Sequence, residues 1–191
     1  MFSAKQSAIQ LTRPYAVTAD FCKIFENDMN RLYLLAYLLT AEHAMAEECF
    51  VRGLEDSTGS NRVFRGWAES WARRTVIHNA IQMVRPRPAD GDTVRSHGCG
   101  PLSVPAPIAA VAVLPIFERF VFVMSVLERH SLQECSLLLG CRREEVAAAR
   151  IRALQQLGQT AEGASLNESS TSSVRGSALP IEAATHLAAS A

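Results

Sequence analysis

Paired cysteines are missing from this chain of 191 residues: its five thiols, Cys22, Cys49, Cys99, Cys135 and Cys141, are odd in number and scattered, with no CxxC and no paired His/Cys cluster. That pattern argues against a disulfide frame or a zinc site and for reduced thiols in a cytoplasmic protein, with no metal and no cofactor expected. Cys22, Cys49 and Cys135 fall in helical patterns, where a small buried hydrophobe is the expected role. Strand signals are equally scarce. No long alternating run of Val, Ile and Thr occurs, while Ala, Leu, Glu and Arg dominate, which predicts an all-α fold. Met1 to Arg13 is mixed and polar rather than the pattern of a secretory signal. The longest apolar run, Ala106 to Phe117, contains two prolines and stops at Glu118, too short to span a bilayer, so no membrane insertion is expected. An excess of charge is missing too: 19 Lys and Arg balance 19 Asp and Glu, at a pI near 7.0. A stand-alone DNA binder is usually basic.

The charges present are unevenly spread. Eight acidic residues lie between Asp20 and Asp56 against Lys23, Arg31 and Arg52, whereas six arginines lie between Arg62 and Arg87 against the single Glu69. An acidic face beside a basic one suits a protein that touches both another protein and DNA.

Apolar periodicity divides the chain. Residues 1–17 read as a loose arm. A helical unit follows over 18–86, with helices at about Ala19–Leu39, from Thr40 as N-cap to about Leu54, and at about Val63–Val84. Asp56 to Asn61 reads as a loop. Residues 87–112 hold most of the prolines and several glycines and read as a linker. A second helical unit spans 113–157, and 158–191 reads as a disordered tail poor in large apolar residues.

The stretch Leu114 to Leu157 is the most informative. Ser131 and Glu134 form a capping box, Leu132, Cys135, Leu138 and Leu139 make a buried face, and Gly140 supplies a sharp turn. A last helix follows, anchored by Val146 and Ile151 with Leu154 near its end. This is the outline of a helix-turn-helix. Earlier in the chain, Trp67, Trp71, Arg73 and Arg74, with His78, Asn79 and Arg85 further along, combine aromatic rings and arginines as in surfaces that stack unpaired bases and pair with phosphates. The spacing of the tryptophans at i and i+4 favours core positions for both, which leaves the arginines and Asn79 as the better contacts.

In order, an acidic helical hairpin, a Trp/Arg helix, a Pro-rich linker and a C-terminal helix-turn-helix resemble the small two-domain sigma factors of the bacterial extracytoplasmic-function family, over about residues 20–157. The C-terminal pattern LPxxERFVFVxxVLExxSxxECxLLLGCxxxEV carries most of the resemblance. Leu32 to Leu39, Ala46-Glu47-Glu48, Trp71 and Val76-Ile77-His78-Asn79 match more loosely. The resemblance implies a protein without catalytic activity of its own that directs transcription initiation. Its partners are core RNA polymerase, through the β′ clamp helices and the β flap, and promoter DNA. Polymerase contact then falls to Asp28, Arg31, Glu47 and Glu48. Minus-ten contact falls to Asn61, Trp71, Arg73, Arg74, His78 and Asn79. Minus-thirty-five contact falls to Arg142, Arg143, Glu144, Glu145 and Arg150. Many members are held by an anti-sigma factor wedged between the two domains, which a flexible linker would permit.

Three departures from the family pattern matter: in one, Glu144 and Glu145 near the N-terminus of the last helix favour its dipole but repel phosphate. The other two bear on activity. The acidic hairpin gives way to Cys49-Phe50-Val51-Arg52 about one turn early, and Ala147-Ala148-Ala149 stand where the family often has a Lys, a small residue and an Arg. They motivate an alternative: a degenerate sigma-like module that binds a protein partner without initiating transcription. A small helical enzyme is the remaining class. Against it, His43, His78, His97, His130 and His186 fall in separate segments, and no nucleophile–base pair or phosphate-cradling glycine loop occurs.

Overall fold

The computed structural model describes residues 14–59, 62–88 and 105–172, with side chains described as far as Thr160. Among them the fold is all-α, as the composition predicts. The chain divides into a compact unit of residues 1–157 and a second unit of 158–191.

Four helices build the first half of the compact unit: α1 (Thr18–Asn27), α2 (Met29–Thr40), α3 (His43–Gly59) and α4 (Ala68–Val84), the last entered through a 3-10 turn at Arg65–Trp67. The single helix expected over 19–39 is broken at Asp28, whose ψ of 18° leaves the helical range. Thr40 closes α2 rather than capping α3. Its hydroxyl donates to the Ala36 carbonyl (2.9 Å), and Ala41 turns the chain in the left-handed region at φ 58°. The expected loop at Asp56 is helical as far as Gly59, and Asn61 lies outside the described residues.

Helices α3 and α4 approach closely. A Cβ on Gly53 would sit 2.8 Å from Val76 Cγ2, so glycine is what allows the contact. A polar seam runs beside it. The Cys49 thiol donates to the Val76 carbonyl, Ser57 and Thr75 share a hydrogen bond of 2.8 Å, and Ser57 donates to the Gly53 carbonyl. Burial pushes the Cys49 thiol up to about 12, which keeps it protonated and inert.

The second half contains α5 (Ala106–Ala112), α6 (Ile116–Phe122), a π-helical turn (Val123–Leu127), α7 (Leu132–Leu139) and α8 (Arg143–Ser172). Helix α5 falls inside the stretch read as linker. Pro105 and Pro107 are compatible with a helix there because they stand at its very start, where backbone N–H groups lack partners anyway. Ser131 and Glu134 form the expected capping box on α7. Gly140 ends that helix at φ 64°, the conformation glycine adopts without steric cost. Helix α8 continues past Leu157 to Ser172, through the start of the stretch read as disordered. Its buried face also differs from expectation. Val146, Ala149 and Ala153 are buried, while Ile151 is 57% exposed and Leu154 is exposed. The alanines give α8 a narrow face that fits closely against its neighbours.

Both halves share one apolar core. A single cluster runs from Phe25, Leu35 and Leu39 through Val76 and Ile77 to Phe117, Phe120, Met124, Cys135 and Val146. Arg119 is locked into it, only 6% exposed. Its guanidinium donates to the carbonyls of Leu39 (3.2 Å), Ala112 (3.1 Å) and Leu114 (3.4 Å). Desolvation pushes this group down to about 10. Nearby, Glu118 accepts from Arg152 and ties α6 to α8.

Candidate nucleic-acid interface

Helix α4 carries two faces of opposite character. Ala72, Val76, Ile77 and Ala80 face the core. Trp71, Arg74 and His78 are exposed, and their spacing of 3 and 4 residues puts them on one stripe of the helix, with exposed Trp67 at its N-cap in the preceding 3-10 turn. Trp67 is 68% exposed and Trp71 36%, so the tryptophans are not the core pair that their spacing suggested. An i, i+4 pair marks a face without saying which way the face points.

Asn79 reverses in the other direction. Expected as a DNA contact, it is 4% exposed, and its amide donates to the Asp56 carboxylate (2.7 Å) and the Thr75 carbonyl (2.9 Å). It joins α4 to α3. The remaining members of the predicted minus-ten set divide. Arg74 is exposed, and its charge helps hold the Glu134 carboxyl below the ordinary range, after the larger effect of the Ser131 hydrogen bonds. Arg73 is half-buried and faces Glu128, with 3.9 Å between Nη1 and Oε2. His78 Nε2 lies 2.7 Å from the Gln82 amide nitrogen.

The aromatic end of the stripe is larger than the sequence showed. Tyr15 and Phe64 are both exposed, with ring centroids 4.9 Å apart, and Phe64 meets Trp67 edge-on at 5.5 Å. Tyr15 belongs to the stretch read as a loose arm, yet residues 14–17 are tied down. The Ala16 N–H donates to the Val63 carbonyl (2.7 Å), and the Arg65 N–H donates to the Pro14 carbonyl (2.9 Å). The Asp20 carboxylate accepts from the Val17 N–H (3.0 Å) and from both Nε (3.2 Å) and Nη2 (2.6 Å) of Arg65. That Arg65 hydrogen bond is the chief reason the Asp20 carboxyl lies below its ordinary range. Only the Phe64/Trp67 spacing could have signalled this cluster in the sequence; the Tyr15 contact joins residues 49 apart in sequence.

At the other candidate surface, Arg143 and Glu144 are exposed at the start of α8. Glu145 is engaged: its carboxylate accepts from the Arg142 N–H (2.7 Å) and from the Arg142 guanidinium (3.2 Å), chiefly the first of which holds it below the ordinary carboxylate range. Glu145 thus caps the helix, in keeping with the helix dipole. Arg150 is half-buried. An open cleft of about 660 Å³, lined in part by Arg85, Arg87, Leu139 and Gly140, separates the end of α4 from the corner before α8.

The residues expected to meet the polymerase lie at the α1–α2 junction, on α2 and on α3. Arg31 is exposed and pairs with half-buried Asp28 at 3.8 Å; Glu47 and Glu48 are exposed on α3, and Glu48 pairs with Arg52. No group of three or more His, Cys, Asp or Glu among the described residues could hold a metal ion, and no helix there is long and apolar enough to cross a membrane. A scan against protein-family models finds no match to this chain, and a search of the curated proteins finds none either.

Proposed function

We propose that the chain is a sigma factor-like protein that binds core RNA polymerase and promoter DNA and directs transcription initiation. The observation that carries this reading is the surface at α4 and the turn before it, where Trp67 at the N-cap and Trp71, Arg74 and His78 on one stripe of the helix expose rings beside cationic or polar groups. Stacking surface and phosphate partners on one helix suit a promoter strand being opened. Three further features agree. Helices α7 and α8 meet at the left-handed Gly140, as the two helices of a helix-turn-helix do, and Arg143 stands exposed at the start of the second. The acidic residues Glu47 and Glu48 are exposed for a partner on α3. Neutral net charge fits a factor whose DNA affinity is supplied largely by the polymerase. The test is co-purification with bacterial core polymerase followed by run-off transcription. Retention on the core enzyme with promoter-dependent transcripts is expected; no association with the core enzyme would sink the reading.

The packing of both helical segments on one core, with Arg73 already facing Glu128, favours a second reading, a sigma-like interaction module that holds a protein partner without starting transcription. Retention on the polymerase without transcripts identifies it.

A further inference from the structure

We propose that the cleft between the end of α4 and the corner before α8 binds a nucleoside di- or triphosphate, with its phosphates on Arg85 and Arg87 and its base against the apolar wall that Leu139 completes. The inference does not depend on the promoter reading.

The cations are the first argument. Arg31, Arg52, Arg65, Arg73, Arg142 and Arg152 each pair with a carboxylate, whereas Arg85 and Arg87 are exposed and pair with no described carboxylate. No acidic side chain among the described residues lines the cleft. Pro86 is buried between the two arginines, which leaves both of them on the open side. Proline also fixes φ at 86 and 88, so the pair is held in place before a ligand arrives. Arg85 ends α4 in the left-handed region, at φ 53°, with its N–H donating to the Ile81 carbonyl (2.8 Å). Glycine takes this conformation without cost, so an arginine there keeps a cation at the expense of backbone strain.

Shape and chemistry select the ligand. The cleft encloses about 660 Å³, within the range of small-molecule sites. Guanidinium groups present planar forks that match phosphate oxygens. A bare phosphate would leave the rest of the cleft unused. Ile81, Pro88 and Leu139 offer apolar surface to a flat base, and the Gln82 amide has hydrogen-bonding capacity beyond its contact with His78. A duplex fits less well, because it keeps its bases inside and cannot bring a base face and a phosphate into one cleft of this size. Ile81 to Pro88 close α4, while Leu139 and Gly140 stand at the corner between α7 and α8. A bound nucleotide therefore touches both halves and braces the helix-turn-helix corner.

The test uses the full chain and isothermal calorimetry with ATP, GTP, inorganic pyrophosphate and adenosine. Binding of a nucleotide is expected, with pyrophosphate and adenosine each weaker. Arg87→Ala should weaken nucleotide binding about tenfold, the scale of one lost charge-assisted hydrogen bond. Arg85→Gly should do the same without lowering the melting midpoint, because glycine suits the left-handed backbone; its loss of binding then cannot come from loss of fold. Arg143→Ala, an exposed arginine outside the cleft, should bind as the parent does. No heat from either nucleotide at millimolar concentration overturns the site. So do pyrophosphate that binds as tightly as ATP, Arg85 and Arg87 variants that bind unchanged, or an equal loss in Arg143→Ala. An Arg85→Gly chain that loses affinity for oligo(dT) and keeps it for ATP also overturns the site, because the arginine then serves a nucleic-acid strand.

Discussion

Arg73 on α4 and Glu128, just after the π-helical turn, face one another across the two halves of the compact unit, with 3.9 Å between Nη1 and Oε2. Any phosphate that takes Arg73 must therefore compete with a carboxylate the chain already supplies. Glu128→Gln should strengthen oligo(dT) binding several-fold and steepen its salt dependence, because one more cation becomes available to the strand. Stability should change by less than about 1 kcal/mol, as expected for a partly exposed pair. Anisotropy titrations across a salt series check this, and unchanged affinity would place Arg73 outside the contact surface.

The approach of α3 to α4 at Gly53 gives a packing prediction. Gly53→Ala places a methyl group 2.8 Å from Val76 Cγ2, so the helices must part. A loss of about 1–3 kcal/mol is expected from urea denaturation. Val76→Ala in the same chain should restore part of it, and a double-mutant cycle without coupling would refute the contact.

Arg119 makes a second stability prediction. Arg119→Met removes the guanidinium that donates to the carbonyl oxygens of Leu39, Ala112 and Leu114 across this joint, at a cost of about 2–3 kcal/mol. Arg119→Lys should fall between parent and Met variant, since a point charge on a flexible stem does not reproduce the fork of a guanidinium. Equal stability of all three proteins by denaturant titration would contradict the role given to this side chain.

Asp20 gives the pH dependence. Its carboxyl titrates below the ordinary value because Arg65 favours the charged form, so the folded state binds that proton less readily than the unfolded chain does. The stability it contributes is complete above the ordinary Asp pKa of about 3.9 and is lost as pH falls through the lower folded value. Asp20→Asn should therefore be less stable than the parent at neutral pH, by about 1 kcal/mol, with the gap closing in acid. Melts from neutral to strongly acidic pH check it. A gap that stays constant would show that the carboxylate charge is not what matters.

What the sequence made legible was local. The capping box at Ser131 and Glu134 and the left-handed Gly140 depend on residues a few positions apart, and both stand as expected. Long-range partners were invisible. Asn79 is buried because Asp56, 23 residues earlier, accepts from it, and the ring contact of Phe64 with Trp67 is extended by Tyr15, which meets Phe64 from the arm. Ala149 and Ala153 took the core positions assigned to Ile151, because close packing of α8 rewards small side chains over large ones. Helix α5 was hidden by its prolines, which break helices everywhere except at their first turn.

The unbroken core has a consequence for how the chain responds to injury. Phe120 and Met124 pack in the same cluster as Leu39 and Ile77, so the two halves hold their main interior in common, beside a small cluster of Phe21, Val63 and Ala68 within the first half. Residues 14–157 should melt as one cooperative object with a single midpoint. A lesion at Cys135 would then be felt at Phe25, and a fragment cut between the halves would inherit an open wound of apolar surface in place of half a fold.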